Sequence, residues 1–336
     1  MLASSDRVLS GTDKVLITGA GGFIGSHLTE ALVRTGADVV ALVRYNSRNS
    51  WGNLEDLDKE ILQSIKVVAG DVRDTQFVRS ITKGRTLVFH LAALIAVQYS
   101  YLAPASYVST NVEGTLNVLQ AALEFGVERV VHTSTSEVYG TAAYVPIDET
   151  HLLQAQSPYA ASKIAADKVA ESFYRSFGLP VVTVRPFNTF GPRQSARAII
   201  PTIATQAIAG KRIRLGKVTP VRDFSFVTDT IQGFLLAAKA PAVLGRVINL
   251  CTGVGVSIGE LAEKIFDALE IQAELSADPA RVRPESSEVE KLIGSAALAM
   301  ELLGWSPQVA LEEGLSRTVK WLRAHAAQYK DGIYNV

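Results

Sequence analysis

Apolar positions in the first half of this chain alternate between two patterns. Short unbroken apolar runs predict strands at 15–18, 38–43, 65–69, 86–91, 129–134 and 181–185. Helix-spaced apolar positions between them predict helices, the clearest at 22–35 (with Gly36 beyond its end), 107–125 and 158–177. Apolar strands alternating with helices read as right-handed βαβ units, hence an α/β fold with a doubly wound parallel sheet. The alternation weakens after Pro186. Residues 186–220 and 251–336 read as shorter elements punctuated by Pro192, Pro201, Gly210 and Gly216, forming a smaller α/β C-terminal lobe over the strand ends. Segments 222–236 and 246–250 are expected to return to the main sheet. The division is therefore 11–185 plus 221–250 against 186–220 plus 251–336.

Composition narrows the class without changing that picture. The 336 residues are 48% hydrophobic and 20% charged, which is globular. Net charge is zero and no basic stripe stands out, so nucleic acid is not an expected partner. Cys251 is the single cysteine, which fits a reducing compartment and excludes an intrachain disulfide. His27, His90, His132, His151 and His325 show no metal-ligand spacing, and no metal is expected. The leader at 1–12 lacks an apolar run of signal-peptide length, and no run approaches the roughly 18 residues of a membrane span. A cytoplasmic enzyme away from membranes is the expectation.

Gly19, Gly22 and Gly25 fall between the first strand and the first helix. A strand-to-helix turn there needs positive φ and close backbone approach to a pyrophosphate, and glycine supplies both. Gly25 would let the helix lie against the sheet. The second strand ends in Arg44 instead of an acid. A guanidinium attracts the extra phosphate of NADP, so Arg44, helped by Asn46, Ser47 and Arg48, favours NADP while leaving NAD possible. Asp71, with Val72, follows the third strand and could flank adenine or cap the next helix.

Tyr159 and Lys163 stand one helical turn apart. A lysine ammonium beside a phenol would stabilise the phenolate and make Tyr159 a base for a hydroxyl proton. Ser134 and Thr135 come at the tip of the fifth strand, where open α/β sheets bind ligands. Glu137 follows. A carboxylate here could remove a carbon-bound proton next to a newly formed ketone, which water elimination requires and plain alcohol oxidation does not.

With these residues in view, the chain resembles the extended short-chain dehydrogenase/reductase family of nucleotide-sugar enzymes, with a Rossmann-type sheet. The resemblance rests on Thr18-Gly19-x-x-Gly22-x-x-Gly25, Gly70-Asp71, His90-Leu91-Ala92-Ala93, Asn111-Val112-x-Gly114-Thr115, Thr133 to Gly140, Tyr159-x-x-x-Lys163, Arg185-Pro186-Phe187-Asn188-x-x-Gly191-Pro192 and Arg222-Asp223-Phe224. The Thr135-Ser136-Glu137 triplet is similar to that of GDP-mannose 4,6-dehydratases and of UDP-glucuronate decarboxylases. The stretch 43–52 is similar to UDP-N-acetylglucosamine 4,6-dehydratases of legionaminic-type pathways.

What the resemblance implies is specific. Tyr159 would be the base at the 4-hydroxyl, Lys163 its partner, Thr135 a hydroxyl ligand and Glu137 the base at carbon 5. Ser136 stands where glucose-type dehydratases place an aspartic acid as proton donor, so the donor is Glu137 itself or Ser136 with a water. The cofactor would lie against Gly19, Gly22, Phe23, Ile24, Gly25, Leu91, Ala92, Ala93 and Thr133. Asn188 and Arg222 would hold the substrate's diphosphate and ribose, with Arg281 or Arg283 as a further phosphate ligand. A hydride leaves carbon 4 and returns to carbon 6, so the cofactor stays bound. UDP-glucuronate decarboxylase, nucleotide-sugar 4-epimerase and a non-catalytic NADP-sensing module are the competing readings. Relatives pair helices 107–125 and 158–177 across a two-fold axis, which implies a homodimer.

Overall fold

The computed structural model describes residues 13–210 and 212–329; the leader and the outer ends of the expected division, 11–12 and 330–336, lie outside them. In chain order the strands are β1 (Lys14–Thr18), β2 (Asp38–Arg44), β3 (Ile65–Gly70), β4 (Leu87–His90), β5 (Arg129–Thr133), β6 (Val181–Pro186), β7 (Asn188–Phe190), β8 (Ile213–Leu215), β9 (Val221–Phe226), β10 (Val247–Leu250), β11 (Gly255–Ser257), β12 (Leu275–Ala277) and β13 (Lys291–Leu292). Seven of them form one parallel sheet in the order β10-β6-β5-β4-β1-β2-β3. The order reverses between β1 and β4, and the crevice at such a reversal is where doubly wound sheets bind ligands.

The apolar runs are unbroken because both faces of this sheet are covered. Along β1, Val15 and Ile17 enter one hydrophobic cluster and Leu16 enters the other, as alternate side chains must. The helix Phe23–Arg34 closes at Thr35, with Gly36 immediately after it. The helix Pro158–Phe177 starts on a Ser157 cap, whose Oγ accepts the Ala160 N–H at 3.1 Å, and has proline in its first turn.

Two expectations change. The helix expected over 107–125 is a helix Pro104–Tyr107, a π-helical turn Val108–Glu113 and a helix Gly114–Glu124. The Asn111 side chain accounts for the irregularity: its Oδ1 accepts the Leu94 N–H, and its Nδ2 donates to the Leu94 carbonyl and to Ser162 Oγ. It therefore fastens the segment after β4 to the helix bearing Tyr159. The strand part of segment 222–236 also departs from its expected place, whereas the helix Val227–Lys239 that follows packs on β5 and β6 of the main sheet. Only β10 joins the main sheet, beside β6. Strand β9 pairs instead with β7, β11 and β13 in a second sheet.

The cause is Asp223, which is wholly buried. Its carboxylate accepts hydrogen bonds from Thr252 N and Oγ1, Gly253 N and Gly294 N. Those bonds hold β9 among loops of the C-terminal part. An alternating pattern announces a strand but does not name its neighbour. Among the described residues, no helix is long and apolar enough to cross a membrane.

Asp223→Ala would remove the shared acceptor of four donors, of which Gly294 N is buried and the other three are part-buried. It is expected to lower unfolding free energy by about 3 kcal/mol or more, read by urea denaturation.

Candidate active site

A cleft of about 1720 Å³ opens at the C-terminal ends of the parallel strands. The glycine turn forms one wall. Gly19 has φ +75°, and a Cβ there would lie 2.8 Å from the Ala92 nitrogen. A Cβ on Gly25 would lie 2.2 Å from the Gly19 carbonyl oxygen, so the helix can approach the strand only with glycine there. Gly22 caps the helix without a side-chain hydrogen bond, and the first turn carries no acid. The first N–H groups of a helix have no intrahelical partner, so Phe23, Ile24 and Gly25 offer a site for an anion.

Leu91, Ala92 and Ala93, just past β4, line the cleft, as does Thr133 at the tip of β5. The Thr133 Oγ1 is buried and has no hydrogen-bond partner. A backbone cradle closed to any Cβ, together with an orphaned hydroxyl on the opposite wall, fits a dinucleotide lying from β1 to β5.

At the tip of β2 the expected group divides. Arg44 is exposed and lines the cleft with Asn46. The Asn46 side chain is consumed by its own loop: Nδ2 donates to the Arg44 and Ser50 carbonyls, and Oδ1 accepts from Arg48 N and Ser50 N. That knot carries Ser47 and Arg48 away, and neither lines the cleft. Asp71 and Val72 do line it. The Asp71 carboxylate accepts both Nε and Nη2 of Arg73, which holds its carboxyl below the ordinary range. Asp74, not Asp71, caps the following helix Thr75–Thr82.

Tyr159 and Lys163 face the cleft from the helix Pro158–Phe177, 7% and 5% exposed. Lys163 Nζ donates to the Thr133 carbonyl at 2.6 Å. Burial pushes the phenol above its ordinary pKa; a hydrogen bond with Thr135 opposes this, and the Glu137 and Asp167 charges add to it. Burial pulls Lys163 down to about 8, against the Asp167 charge and with that of Arg185. Burial thus outweighs the Thr135 hydrogen bond at the phenol, and the ammonium's own hydrogen bond goes to a backbone carbonyl.

Thr135 caps the short turn Ser136–Tyr139, its Oγ1 accepting Glu137 N at 3.3 Å. The turn puts Glu137 in the cleft wall and folds Ser136 inward, where it is 3% exposed and off the cleft. Ser136 is thus turned away from the cleft in which a donor for the leaving hydroxyl is needed. Asn188, Arg222, Arg281 and Arg283 all line the cleft. Asn188 Nδ2 donates to the Asp223 carbonyl, and Arg281 Nε to Asp278. Arg283 lies 3.8 Å from Glu137 and 4.0 Å from Glu288, and Arg222 lies 3.7 Å from Glu288. Sequence reasoning missed Glu288 and the cleft-lining cations Arg193, Arg197, Arg214 and Lys217. Apart from Arg214 in the three-residue strand β8, they come from irregular segments, where spacing carries no signal. Among the described residues, no group of His, Cys, Asp and Glu could hold a metal ion.

The family model described as GDP-mannose 4,6 dehydratase matches residues 16–318. The chain is 30% identical to a human dTDP-D-glucose 4,6-dehydratase over 333 residues, covering 95% of this chain and 92% of that protein. It is 33% identical to a UDP-glucose 4-epimerase of Mycolicibacterium smegmatis over 317 residues, covering 92% and 98%. The fold superposes on the crystal structure of DesIV, a dTDP-glucose 4,6-dehydratase of Streptomyces venezuelae solved with NAD bound. There the TM-score is 0.86 at 30% identity, covering 94% and 99% of the two chains. MoeE5, solved with UDP-glucose and NAD, gives a TM-score of 0.82 at 31% identity, covering 93% and 99%. With a match across nearly its whole length, the chain belongs to the GDP-mannose 4,6 dehydratase family, extended short-chain dehydrogenase/reductases that work on nucleotide sugars as 4,6-dehydratases or 4-epimerases.

Proposed function

We propose that the protein is a 4,6-dehydratase of a UDP-activated hexose, with UDP-N-acetylglucosamine as substrate and NADP retained between turnovers. The observation that carries the reading is Glu137, a carboxylate in the cleft wall, close enough to Tyr159 for its charge to raise the phenol. An epimerase has no use for a carbon base there. The sugar follows from the likeness of residues 43–52 to UDP-N-acetylglucosamine dehydratases.

Held against Gly19, Gly22, Phe23, Ile24 and Gly25, the dinucleotide would supply the hydride chemistry that oxidises carbon 4 and reduces carbon 6. The chain's own residues move the protons. Tyr159, hydrogen-bonded with Thr135, accepts the proton of the 4-hydroxyl, and the Lys163 ammonium offsets the charge that develops. The resulting ketone acidifies carbon 5. Glu137 takes that proton and hands it to the departing 6-hydroxyl, because Ser136 is turned inward; once carbon 6 is reduced, Glu137, reprotonated from solvent, returns a proton to carbon 5, and Tyr159 gives its proton up to solvent. Asn188, Arg222 and Arg281 are assigned to the diphosphate and ribose. Arg283 is assigned to Glu137 as well, since it stands beside that carboxylate.

The reading of NADP rests on Arg44, an exposed guanidinium at the cleft edge with no acid at that strand tip. A homodimer is proposed from exposed apolar side chains on the two pairing helices, Val108 and Leu123 on one and Tyr174 and Phe177 on the other. A cytoplasmic setting accords with Cys251 as a buried free thiol. The relative from M. smegmatis favours 4-epimerase as the second reading.

Product mass separates the two readings. UDP-N-acetylglucosamine is expected to lose the elements of water with no cofactor added. An isomer of unchanged mass would establish the epimerase. Glu137→Gln is expected to cut dehydration by roughly 100-fold or more while dinucleotide binding persists. Gly25→Ala is expected to abolish saturable dinucleotide quenching of tryptophan fluorescence, for which Trp51 and Trp321 in the cleft wall are the reporters. Arg44→Ala is expected to weaken NADP by about 10-fold and leave NAD nearly unchanged, measured by titration of the cofactor-free protein.

A further inference from the structure

Behind the Tyr159–Lys163 pair lies a buried charged cluster that the proposed chemistry does not use. Asp167 stands one turn after Lys163 and is 5% exposed. Its Oδ1 meets His132 Nε2 at 3.0 Å. Its Oδ2 accepts Ser134 Oγ at 2.6 Å and Arg185 Nη2 at 2.8 Å. Arg185 Nε also donates to Ser134 Oγ at 3.2 Å, and its guanidinium covers the Tyr139 ring. These residues come from β5, β6 and the helix Pro158–Phe177, so the cluster joins three elements under the cleft floor.

A buried ion pair costs desolvation that its Coulomb attraction barely returns, and two well-packed apolar residues would serve stability as well. Its place argues for more than stability. Ser134 lies between Thr133, whose carbonyl receives the Lys163 ammonium, and Thr135, which bonds to Tyr159. We propose that Asp167 is a positioning residue for Lys163: its carboxylate fixes the β5 tip that receives the ammonium and supplies the counter-charge that keeps the amine protonated in a buried site.

The surrounding charges leave Asp167 as the main source of that counter-charge. Arg185 on β6 works against it, as a second cation near Lys163. His132 on β5 and His90 on β4 stack with centroids 5.9 Å apart, and burial lowers both, so they stay neutral. Asp167 itself would be raised by burial, but the His132 hydrogen bond and the Arg185 and Lys163 charges hold it well below the carboxylate range. It therefore remains an anion across the range in which Lys163, drawn down to about 8 by burial, gives up its proton.

The inference rests on Tyr159 as proton acceptor, which dehydratase and epimerase readings share, and its first readout needs no turnover. Competitive acetylation of the cofactor-free protein across pH, read at Lys163 by mass spectrometry, gives the amine's midpoint. Asp167→Asn is expected to lower that midpoint by about one unit. The alkaline limb of kcat should move down with it, while KM for the nucleotide sugar stays within about twofold. Asp167→Glu should restore both. Because Asp167→Asn strips Arg185 of its counter-ion, the double variant Asp167→Asn/Arg185→Gln removes both charges and guards against misfolding. It should shift the midpoint the same way by a smaller amount. A folded variant with the midpoint and the limb in place, and only a uniform fall in kcat, would overturn the proposal and leave Asp167 a structural residue.

Discussion

The hydrogen bond from Lys163 Nζ to the Thr133 carbonyl joins the two parts of the site that must stay in register. One part is a helix, which sets Tyr159 and Lys163 on a common face. The other is the tip of β5, which delivers Thr133, Thr135 and Glu137 in sequence. Each part is rigid for local reasons: a Ser157 cap and a first-turn proline on the helix, and a strand paired on both sides in the sheet. Without the tie between them, the relative placement of phenol, hydroxyl and carboxylate would rest on packing and on the Asp167 bonds to His132 and Ser134 one turn further along the helix. Burial makes the tie strong and also draws the amine toward neutrality, so the site needs a nearby anion.

Much of this was legible in the sequence, and the limits have physical causes. The six leading strands could be read because a sheet covered on both faces demands unbroken apolar runs. The glycine turn could be read because backbone geometry at Gly19 and Gly25 admits no other residue without strain. The placement of β9 could not, because it is decided by the Asp223 carboxylate and donors from Thr252 to Gly294, distant in sequence. Nor could the fate of Ser136, Ser47 and Arg48. Whether a side chain in a tight turn faces a cleft or the interior depends on single torsions, here set by the Thr135 cap and the Asn46 knot. The π-turn at 108–113 was hidden for the same reason, since Asn111 in a helical run looks like any polar position.

The charges in the sugar end of the cleft bear on which hexose fits. Glu137 and Glu288 face Arg222 and Arg283, two carboxylates against two guanidiniums. A uronate would bring a further carboxylate into a cluster whose two carboxylates and two guanidiniums already balance. A neutral hexose does not disturb it. Arg283 Nη1 is buried without a hydrogen bond, which leaves a donor for a sugar hydroxyl or for Glu137 as it moves a proton.

The account stands on Glu137 acting at carbon 5. Its most direct test is turnover of UDP-N-acetylglucosamine in deuterium oxide, with the product analysed by NMR. The account predicts a 4-keto-6-deoxy product carrying solvent deuterium at carbon 5. A product that retains the 6-hydroxyl and holds no deuterium at carbon 5 would contradict it.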